Sequence, residues 1–170
     1  FVLQISIDMK SLIYLLSYIL FSACNQSNGN AKKLQAQIDS LKRKLDDTYK
    51  PGFGEMMSSI QTHHAKLWFA GINSNWKLAD FEIHEIQESL ADIQKFNTER
   101  TEVKTIGMIN PAIDSVSKAI LQQNLQQFTN SYMLLTNTCN SCHKATEHEF
   151  NVVTIPSALP VVNQDFKPAQ

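Results

Sequence analysis

The amino-acid sequence predicts an all-α protein, an antiparallel four-helix bundle that follows an N-terminal helical stalk and precedes an extended C-terminal tail. Three observations predict this fold. Apolar residues recur at spacings of three and four in successive segments of residues 51–150, which is the period of an amphipathic helix. The same segments lack the apolar–polar alternation of a strand. The links between them are short and polar, which favours helices that pack as antiparallel neighbours.

Residues 1–23 have the layout of a secretory signal peptide of the lipoprotein type. A lysine follows Met9, the start that we predict, and an apolar run over residues 12–21 precedes two small residues and Cys24. Phe21 stands where a bacterial lipobox usually has an aliphatic residue. The run is about half of the roughly twenty residues that a membrane-spanning helix needs, so we expect cleavage rather than an uncleaved anchor. Cys24 would then carry the lipid of a periplasm-facing, membrane-anchored protein.

Residues 24–50 predict a tether and a short helical stalk. The sequence NQSNGN at residues 25–30 is polar and flexible in composition. A narrow apolar stripe follows at spacings of four, three and four, which predicts a helix; it consists of Leu34, Ile38, Leu41 and Leu45. The stripe is short for a coiled coil. It could pack on the bundle or pair two chains as a homodimer.

Residues 51–150 predict the four bundle helices in order. The first runs from Glu55 to about Asn73, and the second runs from Trp76 to about Asn97. The third begins with Pro111, which suits a first helical turn, and the fourth begins at residue 125. Side-chain N-caps are expected at Asn75 and Asn124. Residues 98–110 are expected to form a polar connection, and residues 151–170 an extended tail.

Several side chains are expected at particular places on these helices. The acidic residues of the second helix are expected to face water. Trp68 and Tyr132 could line a ligand pocket or simply pack in the core. Surface positions are expected for Glu82, Glu85, Glu88, His63, His84 and His148.

The fourth helix carries the motif Cys139-Asn140-Ser141-Cys142-His143, which is typical of covalent haem attachment. Two thiols bond the haem vinyl groups as thioethers, and the next residue supplies an imidazole to the iron. Positions i, i+3 and i+4 of a helix share one face, so Cys139, Cys142 and His143 point together. His143 is the predicted proximal ligand of one haem c. With Cys24 assigned to lipid, no thiol is left over.

Other uses of a CxxC pair compete with haem. A thioredoxin-like dithiol is expected in a βαβ setting, whereas the surroundings here predict helix. A structural zinc site needs four ligands, and the sequence has no second CxxC. A Cys139–Cys142 disulfide in a lipoprotein that binds a partner without haem remains open.

A late CxxCH motif on a predicted bundle resembles the bundle-type cytochromes c, the cytochrome c-prime group, whose motif lies on the fourth helix. The segments PGFGEMM, HHAKLWFAG, NWKLADFEIHEI and LTNTCNSCH are similar to a family of uncharacterised bacterial monohaem lipoproteins, over roughly Tyr49 to Lys167. The resemblance implies an exported single-electron carrier, with no catalytic cycle beyond electron transfer.

The resemblance also implies a second iron ligand. In low-spin members of the c-prime group this ligand is a methionine near the start of the first bundle helix, where Met56 and Met57 stand here. Only one of the two is expected to face the core, and the apolar stripe through Ile60 and His64 selects Met57. His64 is a rival ligand, although a core histidine satisfied by hydrogen bonds is the commoner arrangement. If neither reaches the iron, the protein would be a pentacoordinate haem module that binds or senses small gases.

Charge restricts the partners. A formal net charge of −1 gives no basic field for nucleic acid. Acidic residues outnumber basic ones over residues 80–102. This region could simply be a solvated surface. It could also dock a basic redox partner, since complementary electrostatic fields speed the encounter of two proteins.

Overall fold

The computed structural model describes residues 29–47 and 51–169, and regular structure within these ranges is helical, without a strand. The all-α prediction is therefore confirmed for the described part of the chain. The predicted signal peptide, the Cys24 lipid site and most of the tether lie outside these ranges. None of the described helices is long and apolar enough to cross a membrane. The helices are α1 at 29–47, α2 Phe53–Ile72, α3 Trp76–Phe96, a 3₁₀ helix Thr101–Ile109, α4 Asn110–Leu121 and α5 Leu125–Ala145.

The chain divides into two compact units between residues 50 and 51. In the first unit, α1 forms where the apolar stripe predicted a helix. The four apolar side chains of the stripe are exposed: Leu34, Ile38, Leu41 and Leu45. The role of this stripe in pairing two chains remains a prediction.

Within the second unit, the predicted helices α2 to α5 begin and end within about two residues of the expected positions. Both predicted N-caps are confirmed. The Oδ1 atom of Asn75 accepts the amide of Leu78, and the Oδ1 atom of Asn124 accepts the amide of Gln127. Each bond satisfies one of the amides that a helix start leaves without a partner.

The connections α2–α3 and α4–α5 use the same turn. Ser74 and Gln123 have positive φ angles of 56° and 51°, and Asn75 and Asn124 each donate an amide to a carbonyl five residues earlier. This is the Schellman arrangement that ends a helix. Each asparagine therefore closes one helix with its amide and caps the next helix with its side chain.

The core lies between these helices, with α2 packed on α3 and α4 packed on α5. Leu67, Ile83 and Val116 are fully buried within it. Beside them, the Phe128 ring stacks with Trp68 at a centroid separation of 6.4 Å. Gly71 makes this packing possible because a Cβ there would lie 2.1 Å from the Phe128 ring.

The connection at residues 98–110 differs from the prediction. It contains the 3₁₀ helix, which buries Ile106 and Ile109, and its Val103 packs against the core. A 3₁₀ helix has three residues per turn, so these three residues at spacings of three share one face. The segment is therefore an apolar wall of the core rather than a polar linker.

The prediction that Glu82 faces water is wrong. Its side chain is 1% exposed, and its Oε2 atom lies 2.6 Å from the Nδ1 atom of His63 on α2. Position 82 follows the buried Ala79 by three residues, so it lies on the apolar face of α3. His63 is accordingly half-buried rather than a surface residue, whereas His84 is exposed as expected.

The tail at residues 151–169 has neither helix nor strand. It packs against the helices through Phe166, which is buried beside the Phe69 ring. The Nδ2 atom of Asn75 donates to the carbonyl of Lys167 at 3.0 Å. These contacts hold the tail on the helical unit, where it contributes to the cavity described next.

Candidate functional site

A cavity of about 400 Å³ lies among α2, α3, the 3₁₀ helix, α5 and the start of the tail. Its size is within the roughly 300–1,000 Å³ usual for small-molecule sites. It brings together the predicted site residues of the second unit from two helices far apart in sequence: Met57, His64, Cys139, Cys142 and His143. Apolar side chains complete much of the wall, namely Phe53, Ile60, Leu90, Ile106, Ile109 and Val153.

Cys139 and Cys142 lie one turn apart on α5 and both line this cavity. Both are free thiols. Burial, followed by the proximity of Cys142, raises the pKa of Cys139 to about 11, so Cys139 is a neutral thiol at physiological pH. The sulfur of Cys142 lies 3.4 Å from the Oγ1 atom of Thr105 on the 3₁₀ helix. Both sulfurs are thus held at the wall with no bond to each other.

His143 is oriented by the backbone of the tail. Its Nδ1 atom lies 2.6 Å from the carbonyl oxygen of Asn151. Because a carbonyl can only accept, Nδ1 carries the proton and donates, and the neutral ring then keeps its lone pair on Nε2. Metal-binding histidines commonly have this arrangement, with one ring nitrogen bonded to a carbonyl and the other directed to the metal.

The end of α5 turns the chain back toward His143. Glu147 has a φ angle of 61°, and the amide of His148 donates to the carbonyl of His143 at 2.7 Å. This Schellman turn returns residues 148–153 to the cavity, where His148, Asn151 and Val153 form part of the wall. The prediction that His148 is a surface residue is therefore wrong. No periodic pattern in the sequence signalled this wall.

Both methionines at the start of α2 point inward. Met56 is buried at 6% exposure and belongs to the core, while Met57 is half-buried and lines the cavity. The expectation that only Met57 faces inward is thus corrected, because the buried face of α2 is broad enough for both. Met57 nevertheless remains the methionine that reaches the cavity with His143.

His64 is held in a buried hydrogen-bond network. Its Nε2 atom lies 3.0 Å from the Oγ1 atom of Thr136, which itself donates to the carbonyl of Tyr132. The Tyr132 hydroxyl lies 2.9 Å from the Nδ1 atom, and it donates to the backbone carbonyl of His64 at 2.8 Å. Burial lowers the pKa of His64 to about 4. The ring is neutral, and both nitrogens are already engaged.

A cation stands at the polar part of the cavity wall. Arg100 and Glu102 both line the cavity and form an ion pair. The hydrogen bond from Arg100 is the main reason why the pKa of Glu102 lies below its usual range. The guanidinium also lies 4.6 Å from the centre of the Phe53 ring. Arg100 is the one arginine or lysine among the lining residues described, and no sequence motif had indicated it.

The aromatic residues Trp68 and Tyr132 do not line the cavity. Their rings pack with each other at a centroid separation of 4.8 Å, which makes them core residues. Within residues 29–47 and 51–169, no cluster of three or more histidine, cysteine or acidic side chains could hold a metal ion.

Comparisons with protein-family models, with curated proteins and with solved structures found no match to this chain. The resemblance to bundle-type cytochromes and to bacterial monohaem lipoproteins remains a prediction.

Proposed function

We propose that this protein is an exported monohaem c-type cytochrome that carries single electrons. The observation that carries the proposal is the cavity, which takes in both thiols of the CxxCH motif, an imidazole with its Nε2 lone pair available, and the thioether of Met57. The finer architecture belongs to the same proposal. Helices α2 to α5 form an antiparallel four-helix bundle that holds a cofactor between facing helices, and α1 serves as its stalk.

The residues present fit a covalent haem c. Cys139 and Cys142 would hold it through two thioethers, and His143 would supply one iron ligand from Nε2. Met57 would supply the other, since His64 would have to give up a hydrogen bond to coordinate iron. When bound, haem supplies a one-electron ferric–ferrous couple, which methionine ligation shifts to higher potential.

The protein's own contribution is position, burial and charge. The apolar wall excludes water from the site. Burial there would favour the ferrous haem over the ferric haem, which carries one more positive charge. The Arg100 guanidinium places a positive charge at the polar part of the wall, where it would attract acidic groups of the haem. Asn151 keeps the His143 ring in the tautomer that leaves Nε2 unprotonated. No bond making by the protein is required for electron transfer.

The proposed location follows from the leader sequence. Cleavage before Cys24 and lipidation of its thiol would anchor the protein to a membrane on the periplasmic side. The acidic surface of α3 would face a basic redox partner protein. The exposed stripe of α1 would allow a homodimer. Each of these proposals concerns surfaces outside the cavity.

The exported protein itself provides the first test. The mass of the purified chain is expected to exceed the polypeptide mass by one covalent haem, with any lipid counted separately. The visible spectrum is expected to be low-spin, with the weak long-wavelength ferric band of methionine ligation. A colourless protein with a Cys139–Cys142 disulfide would refute the proposal and support the partner-binding alternative.

A pair of substitutions tests the distal ligand. Met57→Leu is expected to abolish the methionine band and produce a high-spin haem, whereas Met56→Leu is expected to leave the spectrum unchanged. Leucine conserves the apolar volume, so the comparison isolates the thioether sulfur. A wild-type protein that is high-spin and changes its spectrum with carbon monoxide would instead identify a gas-binding module. A Met57→Leu spectrum identical to wild type would remove Met57 from the assignment.

A further inference from the structure

Asn140, the second residue of the CxxCH motif, forms two hydrogen bonds with Val153 of the tail. This pair of bonds is called the Asn140 grip below. The Nδ2 atom of Asn140 donates to the carbonyl of Val153 at 2.8 Å, and its Oδ1 atom accepts the amide of Val153 at 2.8 Å. One side-chain amide thus satisfies both backbone groups of a residue thirteen positions away. This pairing imitates the exchange of bonds between two residues of neighbouring strands.

The grip lies close to the histidine of the same motif. Asn151, whose carbonyl accepts from His143, is separated from Val153 by one residue. On its other side, the amide of Asn151 donates to the carbonyl of His148 at 2.9 Å within the turn that follows α5. The Asn151 carbonyl is therefore held from both directions, by the turn before it and by the Asn140 grip after it.

We propose that Asn140 is a positioning residue for the iron-binding histidine. It holds residues 151–153 so that the Asn151 carbonyl accepts the Nδ1 proton of His143 and the tail closes one wall of the cavity. This inference rests on the proposed haem-binding function. Asn140 acts through Asn151, and it sets the ring orientation and the electron donation of Nε2.

The chemistry of the side chain explains why asparagine suits this position. A backbone residue presents one donor and one acceptor, and only an amide of this length offers one of each in the same plane. Aspartate could still accept the Val153 amide, but its second oxygen would face the Val153 carbonyl. Asn140→Ala removes both bonds, and Asn140→Asp removes one.

The neighbouring Ser141 provides a matched control. It occupies the other variable position of the motif, is exposed, and bonds only the carbonyl of Asn137 within its own helix. Ser141→Ala therefore changes the motif without changing the tail. Any effect common to both alanine variants would come from altering the motif and not from the grip.

Three readouts on the haem-loaded full chain test the proposal. Amide hydrogen exchange reports whether Val153 is held, and Asn140→Ala is expected to lower its protection about tenfold, because the Val153 amide loses its acceptor and the Val153 carbonyl loses its donor. The reduction potential is expected to rise, because weaker donation by Nε2 disfavours the ferric state. In the Met57→Leu background, where the haem is expected to be high-spin, the iron–histidine stretching band is expected to move to lower frequency when Asn140→Ala is added. Asn140→Asp is expected to fall between wild type and Asn140→Ala, and Ser141→Ala is expected to match wild type.

The possible results are distinguishable. Unchanged Val153 protection in Asn140→Ala would overturn the grip itself. If Asn140→Ala loses the protection of Val153 but keeps the reduction potential and the stretching band unchanged, Asn140 holds the tail without positioning His143. That result would overturn the proposal. If Asn140→Ala does not accumulate haem, the same readouts on Asn140→Asp decide the outcome. A wild-type chain without haem would refute the proposed function and this inference together, while the exchange arm would still report on the grip.

Discussion

Acidification is expected to destabilise the protein through His64. The side chain is 3% exposed, and burial lowers its pKa from about 6.5 to about 4. The ring is enclosed between the hydroxyls of Tyr132 and Thr136, and burial away from water disfavours the charged imidazolium. In the unfolded chain the imidazole is free to take up a proton. Protonation therefore favours unfolding between these two pKa values.

The sign and size follow from linkage. Well above pH 6.5 the ring is neutral in both states, and His64 adds no pH dependence. As the pH falls toward 4, the unfolded chain binds a proton that the folded chain does not, so the free energy of unfolding decreases. Each unit of difference between two pKa values is worth about 1.4 kcal/mol. Between pH 7 and pH 5, His64 alone is expected to cost about 2 kcal/mol, a large share of the roughly 5–15 kcal/mol that stabilises a domain.

Urea unfolding of the haem-free chain at pH 7 and pH 5, with the thiols kept reduced, measures this loss. His64→Gln keeps a polar side chain without a titrating group, so its stability is expected to fall by about 2 kcal/mol less over the same pH interval. His84→Gln, which removes an exposed imidazole on α3, is the matched control for the substitution itself. An equal pH-dependent loss in wild type and His64→Gln would refute the reasoning.

Two further predictions concern packing and the thiols. Gly71→Ala places a Cβ about 2.1 Å from the Phe128 ring, and overpacking is expected to lower the free energy of unfolding by about 1–3 kcal/mol. Gly54→Ala, whose Cβ meets open space, is expected to be neutral or stabilising in the same urea titration. Equal effects of the two substitutions would contradict this prediction. In the haem-free chain, iodoacetamide at mildly alkaline pH is expected to modify Cys142 before Cys139, because burial raises the pKa of Cys139 to about 11 and the thiolate is the nucleophile. Mass spectrometry of the two sites checks the order, and equal rates would exclude a protected Cys139.

The helices were predictable because their apolar faces repeat with the helical period, and the caps at Asn75 and Asn124 because asparagine has a specific role at a helix start. The 3₁₀ helix was missed because Ile106 and Ile109 follow a period of three, which matches neither the 3.6-residue period of an α-helix nor the two-residue period of a strand. Glu82 was misplaced because its charge outweighed its position on the apolar face, and its partner lies on another helix.

Prediction of the cavity was incomplete for a related reason. A local motif specifies its own residues, so the proximity of Cys139, Cys142 and His143 to one another at the cavity could be predicted from the sequence. The wall formed by Asn151 and Val153 depends on long-range hydrogen bonds from α5, and an irregular segment has no periodicity that reveals its destination. Adjacent positions such as 56 and 57 can also share a broad buried face.

The tail wall has a consequence for the order of biosynthesis. A nascent chain that has been extended only to residue 145 already contains both cysteines and the histidine of the motif, yet it lacks the carbonyl of Asn151 that orients the imidazole and the backbone of Val153 that Asn140 binds. The cavity is therefore completed only after residues 148–153 have been synthesised and have folded back onto α5. A C-terminal truncation that removes residues 151–153 would leave the CxxCH sequence intact and this side of the cavity open.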